Sequence, residues 1–216
     1  MAQTQDEQSV KSGVSRRRFL QGVGVAGAGA VMADAIIARA ADAPAKPPAT
    51  EPSPGTSAEM PLTLKINGQA RTLLVEPRTT LLVALRDRLD PPLTGPKLVC
   101  DAGSCGACTV LRDGKPACSC LMLAIDAVGH EITTVEGLGQ PGNLNPIQQA
   151  FCDKDGMQCG YCTDGFIVSL TAFLRNNSSP TLDEVKQACH GNFCRCGSYP
   201  HIFDAALEAA GKFKKA

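Results

Sequence analysis

The chain has 216 residues, a length that accommodates one or two domains. Its 21 Lys and Arg residues balance 21 Asp and Glu residues, so no excess of positive charge favours a nucleic-acid partner. With two Tyr, seven Phe and no Trp, the chain also has few aromatic side chains for stacking on bases. Its eleven cysteines are the most unusual feature of the composition.

The first forty residues resemble a bacterial twin-arginine export signal. Arginines at 16–18 precede an uncharged run rich in Gly, Ala and Val at 22–33, and an A-x-A cleavage motif follows at 38–40. An N-terminal membrane anchor is the alternative. However, the run is short, rich in glycine and followed by Asp34, which disfavours a stable spanning helix. We therefore expect residues 1–40 to be a signal peptide, with no stable membrane insertion after its removal.

Residues 41–60 predict a flexible linker, because they are rich in Ala and Pro and contain few side chains that a core could bury. The twin-arginine route carries proteins that have already folded, so it suits a chain whose cofactor is inserted in the cytoplasm. The signal and the linker together predict a periplasmic protein.

Residues 61–137 show the pattern of a small mixed sheet with one helix. An alternating segment at 62–66 is followed by Asn67-Gly68, which predicts a tight hairpin turn into a strand at 71–75. Thr80 can cap a helix whose apolar face is formed by Leu81, Leu82, Leu85 and Leu89.

A second hairpin is expected after this helix. Asp113-Gly114 separates predicted strands at 109–111 and 117–121, and a final short strand is predicted at 132–135. The order strand, hairpin, helix, loop and hairpin is typical of a β-grasp ferredoxin.

Residues 138–216 change to a helical pattern, which predicts a small bundle of four short helices. The sequence therefore predicts an α+β protein, with a β-grasp domain of the plant-type ferredoxin kind followed by an all-α four-helix domain. The four helices are indicated by Asn145-Pro146, by apolar residues from 166 to 174, by the capping box Thr181-x-x-Glu184, and by Pro200.

One group of cysteines has the spacing of a plant-type [2Fe–2S] loop, C-x4-C-x2-C followed by a more distant fourth cysteine. Gly103 and Gly106 lie within this loop, where they let the backbone curl so that amide N–H groups can point at sulfur. Cys118 and Cys120 both compete for the fourth position, since alternation along a strand would place them on the same face. The candidate ligands are Cys100, Cys105 and Cys108, with Cys118 or Cys120 as the fourth.

A second group combines a C-x2-C pair with a C-x-C pair. Such a set could bind a structural zinc ion or act as a redox dithiol. The positions of the pairs at helix ends disfavour a zinc ribbon, and two pairs exceed what a dithiol needs, so a second iron–sulfur site is favoured. The candidate ligands are Cys159, Cys162, Cys194 and Cys196.

The motifs CDAGSCGACTV, MQCGYCTDG and GNFCRCGSY together resemble those of the iron–sulfur subunits of the molybdenum hydroxylases, the family of xanthine oxidase and aldehyde oxidoreductase. PLTLKING and ITTVEGLG add to the resemblance, which extends over residues 61–211. The similarity is nearest to the exported iron–sulfur subunits of bacterial periplasmic aldehyde oxidoreductases.

This resemblance implies two [2Fe–2S] clusters, one in each domain. Cys100, Cys105, Cys108 and Cys120 would bind the cluster nearer the flavin. Cys159, Cys162, Cys194 and Cys196 would bind the cluster nearer the molybdopterin. Cys120 is favoured over Cys118 because it directly precedes a Leu-Met-x-Ala run that resembles the family pattern. Gln158 and Cys196 stand where the family contacts the pterin.

The implied function is electron relay within a molybdenum-dependent aldehyde oxidoreductase. Electrons would pass from molybdopterin on a large partner subunit, through both clusters, to FAD on another partner subunit of a heterotrimer. The chain shows no activated nucleophile and no placed acid–base pair, so we expect no catalytic residue in it. The alternatives are a related hydroxylase of N-heterocycles, a free-standing ferredoxin-like carrier, and an exported module stabilised by zinc or disulfides. An odd number of cysteines disfavours a complete disulfide framework.

Three residues depart from the family pattern without removing a ligand: Val99, Asp164 and Gly197. The remaining cysteines, Cys118, Cys152 and Cys189, are expected to be buried, inert thiols. A disulfide between Cys152 and Cys189 is an alternative in an oxidising compartment.

Overall fold

The structure is a computed structural model that describes residues 58–213. The predicted signal peptide and all but the last three residues of the predicted linker lie outside the described residues. Within residues 58–213, no helix has the length and apolar character needed to cross a bilayer.

Five strands form one mixed sheet with the order β2-β1-β5-β3-β4. Strands β1 (Met60–Ile66) and β2 (Gln69–Val75) form one antiparallel hairpin, and β3 (Thr109–Arg112) and β4 (Lys115–Cys118) form the other. Strand β5 (Glu131–Thr133) joins the hairpins, because it pairs in parallel with β1 and antiparallel with β3.

The two hairpin turns have the backbone that their sequences predict. Asn67 and Gly68 have φ angles of 51° and 78°, and Asp113 and Gly114 have φ angles of 50° and 78°. Two successive residues with positive φ are the requirement of a type I′ turn, which Asn-Gly and Asp-Gly meet with little strain. Both predicted hairpins are therefore confirmed.

Helix α1 (Leu81–Asp87) packs on one face of the sheet. Thr80 caps it as predicted, because its Oγ1 accepts a hydrogen bond from the backbone N–H of Val83 at 3.3 Å. The helix ends two residues before Leu89, yet the Leu89 side chain remains buried in the same core.

Four further helices follow the sheet, as predicted. Two of them are preceded by complete capping boxes, at Asn145 and Thr181. In each box the side chain of the cap accepts a hydrogen bond from a backbone N–H of the first turn, and the side chain three positions later accepts one from the backbone N–H of the cap. The helices are α2 (Pro146–Asp153), α3 (Thr163–Asn176), α4 (Leu182–Ala188) and α5 (Tyr199–Ala209).

Strand β3 contributes to two hydrophobic cores. Val110 packs into the core between the sheet and α1, whereas the next residue, Leu111, packs into the core of the helices with Phe166. Adjacent residues of a strand point to opposite faces, so β3 is covered on both sides. The helices therefore pack directly against the β-grasp sheet, and the α+β fold class is confirmed.

Two strand ends differ from the sequence prediction. Strand β4 ends at Cys118 rather than at 121, because the chain turns there and the backbone N–H of Leu121 donates to the Cys118 carbonyl at 3.1 Å. Strand β5 ends at Thr133 rather than at 135, because the N–H of Thr134 donates to the Asn67 side chain at 2.9 Å.

Candidate iron–sulfur centres

The first cysteine loop curls between α1 and β3. Asp101, Gly103 and Gly106 have φ angles of 51°, 68° and 68°, so the backbone enters the left-handed region three times. Gly103 and Gly106 adopt this region without strain, which agrees with the prediction that they let the backbone curl. The curl directs the backbone N–H of Ala102 at the Sγ atom of Cys100, 3.4 Å away.

The four cysteines assigned to the first centre lie in two pairs. The thiol of Cys100 interacts with that of Cys105, and the thiol of Cys108 interacts with that of Cys120. Cys108 and Cys120 are buried beside Leu82, whereas Cys100 and Cys105 are partly exposed.

Cys100 loses its proton more readily than the two buried cysteines, Cys108 and Cys120. The N–H of Ala102, helped by the Cys105 thiol, lowers the pKa of Cys100 to about 6. Burial raises the pKa of Cys108 and raises the pKa of Cys120 to about 11. A buried thiol of this kind becomes a thiolate only when a cation replaces its proton, which is what bound iron provides.

Cys120 and Cys118 interact with different backbone groups of Gly103. Gly103 offers its N–H to the sulfur of Cys120, which favours a thiolate, whereas the Sγ of Cys118 donates to the Gly103 carbonyl at 3.7 Å, which favours a protonated thiol. Because strand β4 ends at Cys118, the alternation of side chains along a strand does not extend to Cys120. The geometry therefore favours Cys120 as the fourth ligand.

The second group of cysteines lies where two loops meet at the start of α3. Cys159 interacts with Cys196, and Cys162, at the N-terminus of α3, interacts with Cys194. Cys194 is buried and Cys162 is half-buried, whereas Cys159 and Cys196 are exposed. The second centre therefore has an inner pair and an outer pair of sulfurs.

Backbone N–H groups point at the sulfurs of the second centre as well. The N–H of Tyr161 is the main cause that lowers the pKa of Cys159. Burial raises the pKa of Cys162 to about 12. Burial also acts on Cys194, but the hydrogen bond from the Ser198 N–H, at 3.4 Å, and the Cys162 thiol outweigh it, so its pKa is lowered.

The sulfur arrangement fits a two-iron core. In each group the four candidate sulfurs interact in two pairs, and a [2Fe–2S] core takes two protein ligands on each of its irons. The glycine-rich backbone and the N–H groups directed at sulfur supply the remaining stabilisation.

The loops of the two centres are in direct contact. The backbone N–H of Phe193, which precedes Cys194, donates to the Cys105 carbonyl at 2.9 Å. The side chain of Asn192 donates to the Gly106 carbonyl at 3.1 Å. The first of these bonds connects a candidate ligand of the first centre to the residue adjoining a candidate ligand of the second.

Sequence reasoning missed two residues of this contact, Asn192 and Gly165. A Cβ atom on Gly165 would lie 2.1 Å from the Gly106 carbonyl oxygen, so glycine is needed for the approach of α3. Glycine inside a helical pattern is the signal that could have indicated it. Asn192 stands next to the second motif, but its partner is 86 residues away and no local pattern indicates it.

Replacing Gly106 with alanine should separate the two loops. The new Cβ would lie 2.4 Å from the Gly191 carbonyl and 2.5 Å from the Asn192 amide, on a residue whose φ is +68°. Gly114→Ala is the matched control, because its φ is +78° and nothing lies within 4 Å. We expect the control to lose about 1–2 kcal/mol from backbone strain alone, and Gly106→Ala to lose about 1–3 kcal/mol more from overpacking. Chemical denaturation of the iron-loaded proteins measures both, and equal losses would contradict the close approach.

The remaining cysteines are free thiols in different surroundings. Cys189 is buried, as expected, and burial raises its pKa to about 12. Cys152 is exposed and Cys118 is half-buried, so the expectation of burial is wrong for both. Cys152 and Cys189 do not form a disulfide.

The departures from the family pattern have local explanations. Gly197 has a φ of +79°, a backbone that glycine adopts without strain. Val99 is more than half exposed, so its side chain meets no core residue that would exclude it. Asp164 forms an ion pair with Lys97 at 2.5 Å.

Comparison with known families assigns each half of the described chain. Residues 64–130 match the family described as 2Fe-2S iron-sulfur cluster binding domain, and residues 134–207 match the [2Fe-2S] binding domain family. The second match favours iron–sulfur over zinc for the cysteines from 159 to 196. The fold and the two cysteine groups thus define a two-cluster iron–sulfur electron-transfer protein.

Two similar proteins indicate which kind of two-cluster iron–sulfur protein this chain is. The chain is 46% identical over 213 residues to the aldehyde oxidoreductase iron-sulfur-binding subunit PaoA of Escherichia coli O157:H7. This match covers 92% of this chain and 89% of PaoA. It is 47% identical over 163 residues to the nicotine 6-hydroxylase small subunit of Paenarthrobacter nicotinovorans, covering 76% of this chain and 96% of that subunit.

A solved structure agrees with these relatives. Quinoline 2-oxidoreductase from Pseudomonas putida 86 has a chain that is 43% identical, with a TM-score of 0.68, covering 72% of this chain and 96% of that one. The chain belongs to the family of iron–sulfur subunits of the molybdenum hydroxylases.

Proposed function

We propose that this chain is the exported electron-transfer subunit of a molybdenum-dependent aldehyde oxidoreductase. The observation that carries the proposal is the pairing of two four-cysteine centres through the hydrogen bond from the Phe193 N–H to the Cys105 carbonyl, at 2.9 Å. In the complete assembly the chain would connect a large molybdopterin-binding subunit with an FAD-binding subunit, as a heterotrimer.

The chain's own residues provide ligands, hydrogen bonds and spacing. When bound, each [2Fe–2S] cluster accepts and releases one electron at a time. Cys100, Cys105, Cys108 and Cys120 would hold the first cluster, and Cys159, Cys162, Cys194 and Cys196 would hold the second. The backbone N–H groups at Ala102, Tyr161 and Ser198 stabilise negative charge on the adjacent sulfurs, which is how a protein adjusts the reduction potential.

The outer edge of the second centre is open to a partner's cofactor. Gln158 and Cys196 are both exposed, so the amide and the outer sulfur are accessible. We assign to Gln158 a hydrogen bond to the pterin, and to Cys196 a double role as iron ligand and neighbour of the pterin.

Exposed apolar side chains surround both centres. They favour a chain that binds large partner subunits over a chain that acts as a freely diffusing carrier. Isolated exposed apolar residues are ordinary, but a group of them around a reactive site indicates an interaction surface. Each is between 41% and 66% exposed: Leu98, Val99 and Leu121 beside the first centre, and Met157, Tyr161 and Phe193 beside the second.

Aldehydes are the proposed substrate class because the relative that covers 92% of the chain is an aldehyde oxidoreductase subunit. Oxidation of N-heterocycles is the second candidate, favoured by the 47% identity to the nicotine 6-hydroxylase small subunit. The substrate would bind to the molybdenum-containing partner, so this chain's residues do not select between the two. The twin-arginine pattern supports export of the folded chain to the periplasm.

Purification of the native complex tests the proposal. We expect osmotic shock to release a complex of three different subunits, in which this chain is reduced when an aldehyde is added. Reduction by nicotine or quinoline and not by aldehydes would favour the second candidate. A monomer that accepts electrons without larger subunits, or a complex retained in the cytoplasm, would contradict the corresponding part of the proposal.

A further inference from the structure

A half-buried ion pair connects the two cysteine-bearing parts of the chain. The Nζ atom of Lys97 lies 2.5 Å from Oδ2 of Asp164, and the two side chains are only 23% and 22% exposed. The same Nζ donates to the carbonyls of Thr94 at 2.8 Å and Gly95 at 3.0 Å. All three N–H bonds of the ammonium therefore have a protein acceptor.

The two residues of this pair lie close to candidate ligands of different centres. The backbone N–H of Lys97 donates to the Ala107 carbonyl at 2.9 Å, and Ala107 directly precedes the candidate ligand Cys108. Asp164 lies in the first turn of α3, two residues after the candidate ligand Cys162. An acidic side chain is favourable at this end of a helix, so the carboxylate also stabilises the start of α3.

A second carboxylate reinforces the connection. The N–H of Gly95 donates to Oε1 of Glu136 at 2.7 Å, and a Cβ on Gly95 would lie within 2.8 Å of both Glu136 oxygens. Glu136 belongs to the segment that leads from the sheet to the helices. Three segments therefore meet here, because residues 95–97 bind the carboxylate of Glu136 through the Gly95 N–H and that of Asp164 through the Lys97 ammonium.

The pair differs from ion pairs elsewhere on the surface. In the pair between Lys154 and Glu208, at 2.8 Å, the side chains are 43% and 31% exposed, and exposed pairs of this kind contribute little. Loss of one partner from a half-buried pair leaves the other charge poorly solvated, which is far more disruptive. Movement at this point would shift α3, and with it Cys162, relative to the first loop.

We propose that Lys97 and Asp164 are positioning residues that fix the gap between the two iron–sulfur centres. The proposal rests on the proposed function, since it assumes that both centres hold clusters. Electron transfer falls steeply as the gap between two centres widens, so a device that holds the loops together maintains the transfer rate. The residues act through Ala107 and through the first turn of α3, without touching a cluster.

The test uses Asp164→Ser and Lys97→Met in the complete native complex. Serine still suits the first turn of a helix but is too short to reach Lys97, and methionine keeps the apolar stem of Lys97 without its charge. Glu208→Gln is the control, because it removes the ion pairs of Glu208 with Lys154 and Lys212, which are more exposed than the pair under test. The readouts are the magnetic coupling between the two reduced clusters, seen as splitting and relaxation of their EPR signals, and the rate of electron transfer between them.

We expect both variants to retain two clusters, to show weaker magnetic coupling and to transfer electrons several-fold more slowly, while the control behaves as the unaltered complex. Unchanged coupling and transfer would overturn the proposal, even if thermal stability fell. A shift in the second cluster's potential with unchanged coupling would also overturn it, because the pair would then act through its charge alone. Absence of a second cluster signal in the unaltered complex would instead refute the proposed function.

Discussion

Replacing Cys120 with alanine should lower the iron content from about four to about two atoms per chain, whereas Cys118→Ala should leave it unchanged. Cys120 is buried against Cys108 and receives the Gly103 N–H, while Cys118 donates its own proton to the Gly103 carbonyl. Loss of one ligand exposes an iron to water and destabilises the whole two-iron core. Iron and acid-labile sulfide assays of the purified variants measure the effect.

The pair of variants is informative because the two cysteines are only two residues apart and both contact Cys108. A general disturbance of this loop would lower iron in both variants to a similar extent. Loss of iron in Cys118→Ala with retention in Cys120→Ala would reverse the assignment of the fourth ligand.

Replacing Cys162 with alanine should abolish the second cluster and interrupt the electron relay. Cys162 belongs to the inner sulfur pair with Cys194 and directly precedes α3, so its loss removes one of the two inner ligands. In the native complex, substrate should then fail to reduce the remaining cluster at a measurable rate, although dithionite still reduces it. Stopped-flow absorbance compares the two reductants.

Cys152→Ala is the matched control for this experiment. Cys152 is a free, exposed thiol on the same cavity wall as Cys159, and we assign it no ligand role. It should retain both clusters and normal reduction by substrate. Rapid substrate-driven reduction in Cys162→Ala would mean that electrons enter this chain at the first centre, contrary to the proposed direction.

Features that depend on neighbouring residues were predictable from the sequence. The Asn67-Gly68 and Asp113-Gly114 turns, the caps at Thr80 and Asn145 and the capping box at Thr181 all have the predicted geometry. Each depends on hydrogen bonds or backbone preferences within about four residues, so tertiary structure does not override them.

Features that depend on distant segments were not predictable in the same way. The strand predicted through 121 ends at Cys118, and this turn places Cys118 and Cys120 against different groups of Gly103. The pair between Lys97 and Asp164 joins residues 67 positions apart. Sequence spacing identified which cysteines belong together, but only the folded chain brings the loops of the two centres into contact.

The proposed relay requires two separate [2Fe–2S] clusters in this chain, and reductive titration followed by EPR measures whether both are present. We expect the matured chain to take up about two electrons and to develop two distinct rhombic signals of equal intensity. A single signal with an uptake of about one electron, or a colourless, iron-free chain that still supports turnover by its partners, would contradict it.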